Sequence, residues 1–120
     1  MERKTVSNQM KGRKGEDMAY QYLNQRGYQL LDRNYRCPLG EIDLIMADGG
    51  TIVFVEVKFR TSYARGGGAE AVHYHKQQHL YRAAQWYIRQ HRYEGRAFRM
   101  DIIEINGKEL RHIPNAFDAG

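Results

Sequence analysis

Apolar positions recur along the chain with two periods, helical at the start and past the middle, alternating elsewhere. From Gly15 to Arg26, Met18, Ala19, Tyr22 and Leu23 fall on one helical stripe, and Gly27 suits the position just past a helix end. This stretch is predicted as the first helix. Residues 1–12 carry no apolar period and are expected to form a mobile basic arm. Three runs, Tyr28 to Arg36, Glu41 to Asp48 and Thr51 to Phe59, read as strands joined by Cys37-Pro38-Leu39-Gly40 and by Gly49-Gly50. Connections that short force antiparallel hairpins. A Gly-rich loop, Arg60 to Ala69, precedes Leu80, Ala83, Ala84, Tyr87 and Ile88, which repeat as one face of a second helix. Ala97 to Ile105 and Glu109 to Ile113 read as two strands around an Asn106-Gly107 turn, and residues 114–120 as a polar tail. The order is α-β-β-β-α-β-β without internal repeat. It predicts one α/β domain over residues 1–120: a central mixed sheet with helices on both faces, its third and fourth strands joined by a right-handed crossover through the second helix.

A two-residue Gly49-Gly50 turn sets Asp48 opposite Thr51 and fixes the register outward. It then places Asp43 opposite Glu56 and Glu41 opposite Lys58, all four on one face. The other face of the hairpin is Ile42, Leu44, Met46, Val53, Val55 and Val57. The charged face continues toward the turn as Ile45, Ala47, Ile52 and Phe54, so both faces are suited to burial.

At 120 residues the chain holds a single domain. It carries a formal net charge of +5, supplied by more Arg than Lys, which favours bidentate contact with phosphate and points to nucleic acid. No apolar stretch approaches the ~20 residues that cross a bilayer, so no membrane partner is expected. The basic N-terminus leads into no apolar segment, and the single Cys37 has no partner within the chain, which suits a reducing cytoplasm.

Opposed carboxylates repel, and a partly buried pair such as Asp43 and Glu56 needs something to offset the repulsion. A hard divalent cation does so: Mg²⁺ is commonly held by one or two carboxylates while water and substrate phosphates complete its octahedron. Lys58, two residues after Glu56, would stabilise charge developing on a phosphoryl group or orient the attacking water. The plainer alternative is a salt-bridged surface patch in which Lys58 pairs with Glu41 and Asp43 faces solvent.

The stretch Gly40-Glu41-Ile42-Asp43-Leu44-Ile45, a short hairpin and Val55-Glu56-Val57-Lys58 resembles the PD-(D/E)xK nuclease signature, with Ile42 where the signature has Pro. The wider pattern resembles the uncharacterised bacterial YraN family, similar in core to Holliday junction resolvases and restriction endonucleases. It runs from Gly12-Arg13-Lys14-Gly15-Glu16 through Gly27-Tyr28, Arg33-Asn34-Tyr35-Arg36 and Glu70-Ala71-Val72 to Arg99-Met100-Asp101. The resemblance implies a restriction-endonuclease-like αβββαβ core and a DNA endonuclease using Mg²⁺ or Mn²⁺. Asp43 and Glu56 would be the ligands, Lys58 the electrostatic residue, and Glu41 and Glu16 accessory acids. Without the resemblance, Glu16 is an acid favoured near a helix start by the macrodipole.

Arg33, Arg36, Arg60 and Arg65 ring the same end of the sheet and suit phosphate contacts, with Gly66-Gly67-Gly68 as a mobile clamp. Lys76, one turn before Leu80, points toward the acids, or is a lysine at the edge of the apolar stripe. Asp101 is expected in a structural salt bridge with an Arg. His75 and His79 have the spacing of helical zinc ligands but no third ligand, and with His73 read as polar-face residues. Tyr74, Tyr81, Trp86 and Tyr93 read as core or interface. The function expected is metal-dependent phosphodiester hydrolysis in DNA, branched DNA included, for which a homodimer would suit. The alternatives are a non-catalytic nucleic-acid-binding module and a protein-interaction scaffold.

Overall fold

The computed structural model describes the backbone of residues 2–59 and 66–116, and side chains over 13–59 and 77–116. The first helix, α1, spans Glu2–Gln25; strands β1 (Gln29–Cys37), β2 (Gly40–Asp48) and β3 (Thr51–Phe59) follow; α2 spans Gly66–Gln90; β4 (Phe98–Asn106) and β5 (Glu109–Ile113) complete the order. The arm expected over residues 1–12 is corrected by α1, whose helical backbone begins at Glu2. An apolar stripe is needed to pack a helix, but a Pro-free polar run can still wind. The end of the Gly-rich loop is likewise helical from Gly66.

Gly27 closes α1 as expected. It takes φ 92°, its amide donates to the Asn24 carbonyl, and the Tyr28 amide returns to the Leu23 carbonyl at 3.1 Å, the paired bonds of a Schellman cap. The α2 end makes the same return, from the Tyr93 amide to the Ile88 carbonyl, with Arg92 at φ 57°.

The five strands form one sheet in the order β1-β2-β3-β4-β5, antiparallel except for the parallel β3–β4 pair that flanks α2 in sequence. Two apolar layers cover its faces. Ala19 and Leu23 of α1 pack on Leu44, Met46, Val53, Val55, Ile103 and Ile105. Leu80, Ala83, Ala84, Tyr87 and Ile88 of α2 pack on Tyr35, Ile42, Ile45, Ile52, Phe54 and Met100. This is the α/β architecture expected, with the αβββαβ core and a helix on each face of a mixed sheet.

The β2–β3 ladder runs from Asp48↔Thr51 to Leu44↔Val55 in the register dictated by Gly49-Gly50. Ile42 corrects the expected faces, since it lies in the α2 layer and Leu44 in the α1 layer. Two residues apart in a regular strand would share a face. The cause is visible in β1, where Asn34 takes φ 51°. Before it Arg33 reaches acids of α1; after it Tyr35 meets the Tyr87 ring of α2 edge-on. Their β2 partners, Leu44 and Ile42, switch layers with them. The switch in β2 therefore falls at Asp43.

The last residues described are tied to the sheet. The Asn115 amide donates to Asp101 Oδ1 at 2.9 Å, and the Ala116 amide to the Met100 carbonyl at 2.7 Å. The segment expected as tail thus begins as a strap across β4.

Candidate active site

Beyond Leu44↔Val55 the Asp43 carboxylate replaces the ladder: its Oδ2 accepts the Val57 amide proton at 2.8 Å. The side chain of one strand here takes a backbone donor of the next, which fixes its direction. Glu41, Asp43 and Glu56 line a cavity of about 310 Å³, closed on the helix side by His79 and Leu80. The α2 backbone approaches closely at this wall, with the His79 carbonyl 3.5 Å from where a Cβ on Gly40 would sit; Gly40 has φ 155°.

Glu56 is 3% exposed and is followed two residues later by Lys58, whose Nζ stands 3.8 Å from Glu56 Oε1 with a largely buried stem. An ammonium this close partly neutralises the buried carboxylate. Lys58 also lies in register beside Glu104 of β4. Glu41 is about half exposed at the rim and ion-pairs with Arg36 at 3.6 Å.

The structure thus gathers Glu41, Asp43 and Glu56 around one cavity and sets Lys58 beside Glu56. Glu16 lies on α1, 3.7 Å from Arg33, and does not line the cavity. Its neighbour Gly15 packs against the Phe59 ring, so α1 crosses the end of β3 one residue beyond Lys58. A Cβ on Gly15 would collide with that ring. Arg33 is bound to Asp17 at 2.8 Å as well as to Glu16, whereas Arg36 is largely exposed. Arg60 and Arg65 and the side chain of Lys76, as well as those of His73, Tyr74 and His75, lie outside the described residues.

Two carboxylates facing a cavity with room for several waters are a donor set that fits Mg²⁺ or Mn²⁺, which keep several waters and rarely use an all-protein cage. Among the described residues no three His, Cys, Asp or Glu side chains form such a cage. His79 was legible by the argument that singled out Lys76, being only three residues further along the same helix.

A second polar centre lies on β4. Asp101 is 1% exposed and bonds His112 Nε2 at 2.7 Å, Arg99 Nε at 3.0 Å and the Asn115 amide. Burial pushes its pKa up, but the bonds from His112, Asn115 and Arg99 outweigh this and hold the carboxyl below its ordinary value. Arg99 Nη2 also donates to the Tyr28 hydroxyl at 2.6 Å. With every carboxylate oxygen engaged by protein donors, Asp101 is the structural salt bridge expected.

The pattern of the Uncharacterised protein family UPF0102 matches residues 15–105, which contain every acid of the cavity. The chain belongs to the UPF0102 family. Among its relatives, a UPF0102 protein of Persephonella marina is 42% identical over 109 residues, covering 91% of this chain and 94% of that one. One of Caldanaerobacter subterraneus subsp. tengcongensis is 45% identical over 121 residues, covering 95% and 99%. One of Stutzerimonas stutzeri is 43% identical, covering 93% and 98%. The family is the one the sequence resembles. Among the described residues of this UPF0102 protein, no helix is long and apolar enough to cross a membrane.

Proposed function

We propose that this UPF0102 protein is a divalent-metal-dependent nuclease that hydrolyses phosphodiester bonds in DNA, branched DNA included. The observation that carries the reading is the placement of Asp43 and Glu56, from adjacent strands, on one cavity with the Lys58 ammonium beside them. On strands otherwise devoted to apolar packing, burying such a cluster costs stability, and ionisable groups kept at that cost are a mark of functional sites.

Asp43 and Glu56 would hold Mg²⁺ or Mn²⁺, which on binding supplies charge neutralisation and a more acidic water. The Val57 amide keeps the Asp43 carboxylate oriented before substrate arrives, so no reorganisation is needed at the moment of reaction. Lys58 presents a fixed positive charge to the phosphate, more valuable as negative charge grows on it. Glu41 at the rim would be an accessory acid that positions water, a role that Glu16, set against Arg33 outside the cavity, does not share. Arg36, with Arg60, Arg65, Lys76 and Arg33, would hold the DNA backbone. A homodimer would present two such cavities to a symmetric branched substrate.

The second reading is a nucleic-acid-binding module without catalysis, favoured by the formal net charge of +5 and the largely exposed Arg36. Incubation with duplex, flap, single-stranded and four-way-junction DNA in Mg²⁺, Mn²⁺ or EDTA separates the two. Cleavage in either metal and none in EDTA supports the nuclease; binding without cleavage of any substrate supports the module.

A further inference from the structure

Trp86 departs from the other described aromatic residues on α2 and just beyond its end. Tyr87 is buried, and Tyr81 and Tyr93 pack against the same apolar layer, whereas Trp86 is 40% exposed. Arg82 and Arg89 are also exposed and stand four residues before and three after it, spacings that place all three on one helix face. His79, three residues before Arg82, extends that face to the wall of the acid cavity. The stripe from His79 to Arg89 covers about 15 Å of helix axis.

Its charge has one sign. Residues 71–93 contain no Asp or Glu but include Lys76, Arg82, Arg89 and Arg92. An exposed indole is costly to leave in water, and Trp and Arg together also mark protein interfaces. A helix face that carries cations and no acid of its own over this length is instead complementary to a polyanion. Successive bases of an unpaired strand present faces that stack on an aromatic ring, whereas those of a duplex are already stacked.

We infer that the Arg82–Trp86–Arg89 face of α2 receives an unpaired nucleic-acid strand, one base stacked on Trp86 and its phosphates on the arginines. The consequence for substrate class rests on the nuclease reading. The strand delivered along α2 to the His79 wall belongs to DNA with a single-stranded segment beside the cut, such as a flap, overhang or open junction.

Trp86 is the only tryptophan of the chain, so intrinsic fluorescence reports on this position alone. The full chain in EDTA is titrated with a short oligo-dT and with a blunt duplex of equal length. Affinity is followed in parallel by anisotropy of labelled DNA. Oligo-dT is expected to quench the emission much more than the duplex. Trp86→Ala is expected to weaken oligo-dT binding roughly 5- to 150-fold, with Trp86→Phe retaining most of the affinity. Unchanged emission on oligo-dT binding, equal affinity of Trp86→Ala and wild type, or no binding of oligo-dT overturns the inference. Because EDTA removes any metal-dependent cleavage, the two readings fail separately. Quenching without cleavage in Mg²⁺ leaves this surface and removes the nuclease; Asp43-dependent cleavage without quenching leaves the nuclease and removes this surface.

Discussion

Asp43 Oδ2 accepts the Val57 amide proton at 2.8 Å, just past the last rung of the β2–β3 ladder. The fold therefore aims this carboxylate whether or not a cation is present. Asp43→Ala, which removes the acceptor and leaves a partly buried amide unmet, is expected to lower stability by about 1–3 kcal/mol in urea denaturation. Asp43→Asn keeps an acceptor oxygen and should lose less. Its melting temperature should nonetheless be the same in Mg²⁺ and EDTA, whereas the wild type rises with the cation by mass action. An equal rise in both proteins would remove Asp43 as a ligand.

Asn34 and Asp43 lie where both strands exchange faces, and Asn34 adopts a left-handed conformation that Asn and Gly tolerate. Asn34→Gly should melt close to the wild type. Asn34→Val forces a β-branched residue into that conformation and should cost about 1–2 kcal/mol. If the variant escapes by restoring regular alternation, the Asp43 carboxylate turns away from Val57 and any metal-dependent melting shift shrinks with it. Equal melting of the Val and Gly variants would show that this conformation is not required.

How the sequence foretold these features follows from what each depends on. The β2–β3 register was legible because Gly49-Gly50 leaves one short turn geometry, and the two helical stripes because packing demands a period. The exchange of faces at Asn34 and Asp43 was not. Ile42 is apolar whichever layer it joins, so the alternation of hydrophobicity is silent there. The early start of α1 was missed for a related reason, since polar turns without an apolar period leave no stripe to read. Trp86 was legible only as core or interface, because helical spacing makes any aromatic look like core and only the position of the buried stripe shows which face it is on.

The Asp101 centre predicts the acid limb of stability. Its folded pKa lies below the unfolded one, so its contribution is present above the ordinary carboxylate range and is lost as pH falls through the lowered value. Asp101→Asn should lower stability at neutral pH by about 1–3 kcal/mol, because the charge-assisted bonds from Arg99, His112 and Asn115 weaken while Arg99 keeps Asp48. It should also flatten the decline below about pH 4. Parallel wild-type and variant curves of urea stability against pH would contradict the assignment.

Lys58 separates binding from chemistry. On the nuclease reading it would be one of several cations that meet the DNA and add little each to affinity, but beside Glu56 it would face the charge that grows during hydrolysis. Lys58→Ala should bind DNA within a few-fold of wild type and cleave it on the order of a hundredfold more slowly. A loss of affinity equal to the loss of rate would make Lys58 a binding residue only.

Whether the cavity of Asp43 and Glu56 hydrolyses phosphodiester bonds is decided by single-turnover cleavage of flap DNA in Mg²⁺ by wild type, Asp43→Asn and Glu56→Gln. Wild type is expected to cleave the flap, EDTA to abolish the cleavage, and both folded variants to cleave at least about a hundredfold more slowly. Cleavage that persists undiminished in both variants, or a wild type that binds the flap and leaves it intact in Mg²⁺ and Mn²⁺ alike, would contradict the nuclease reading.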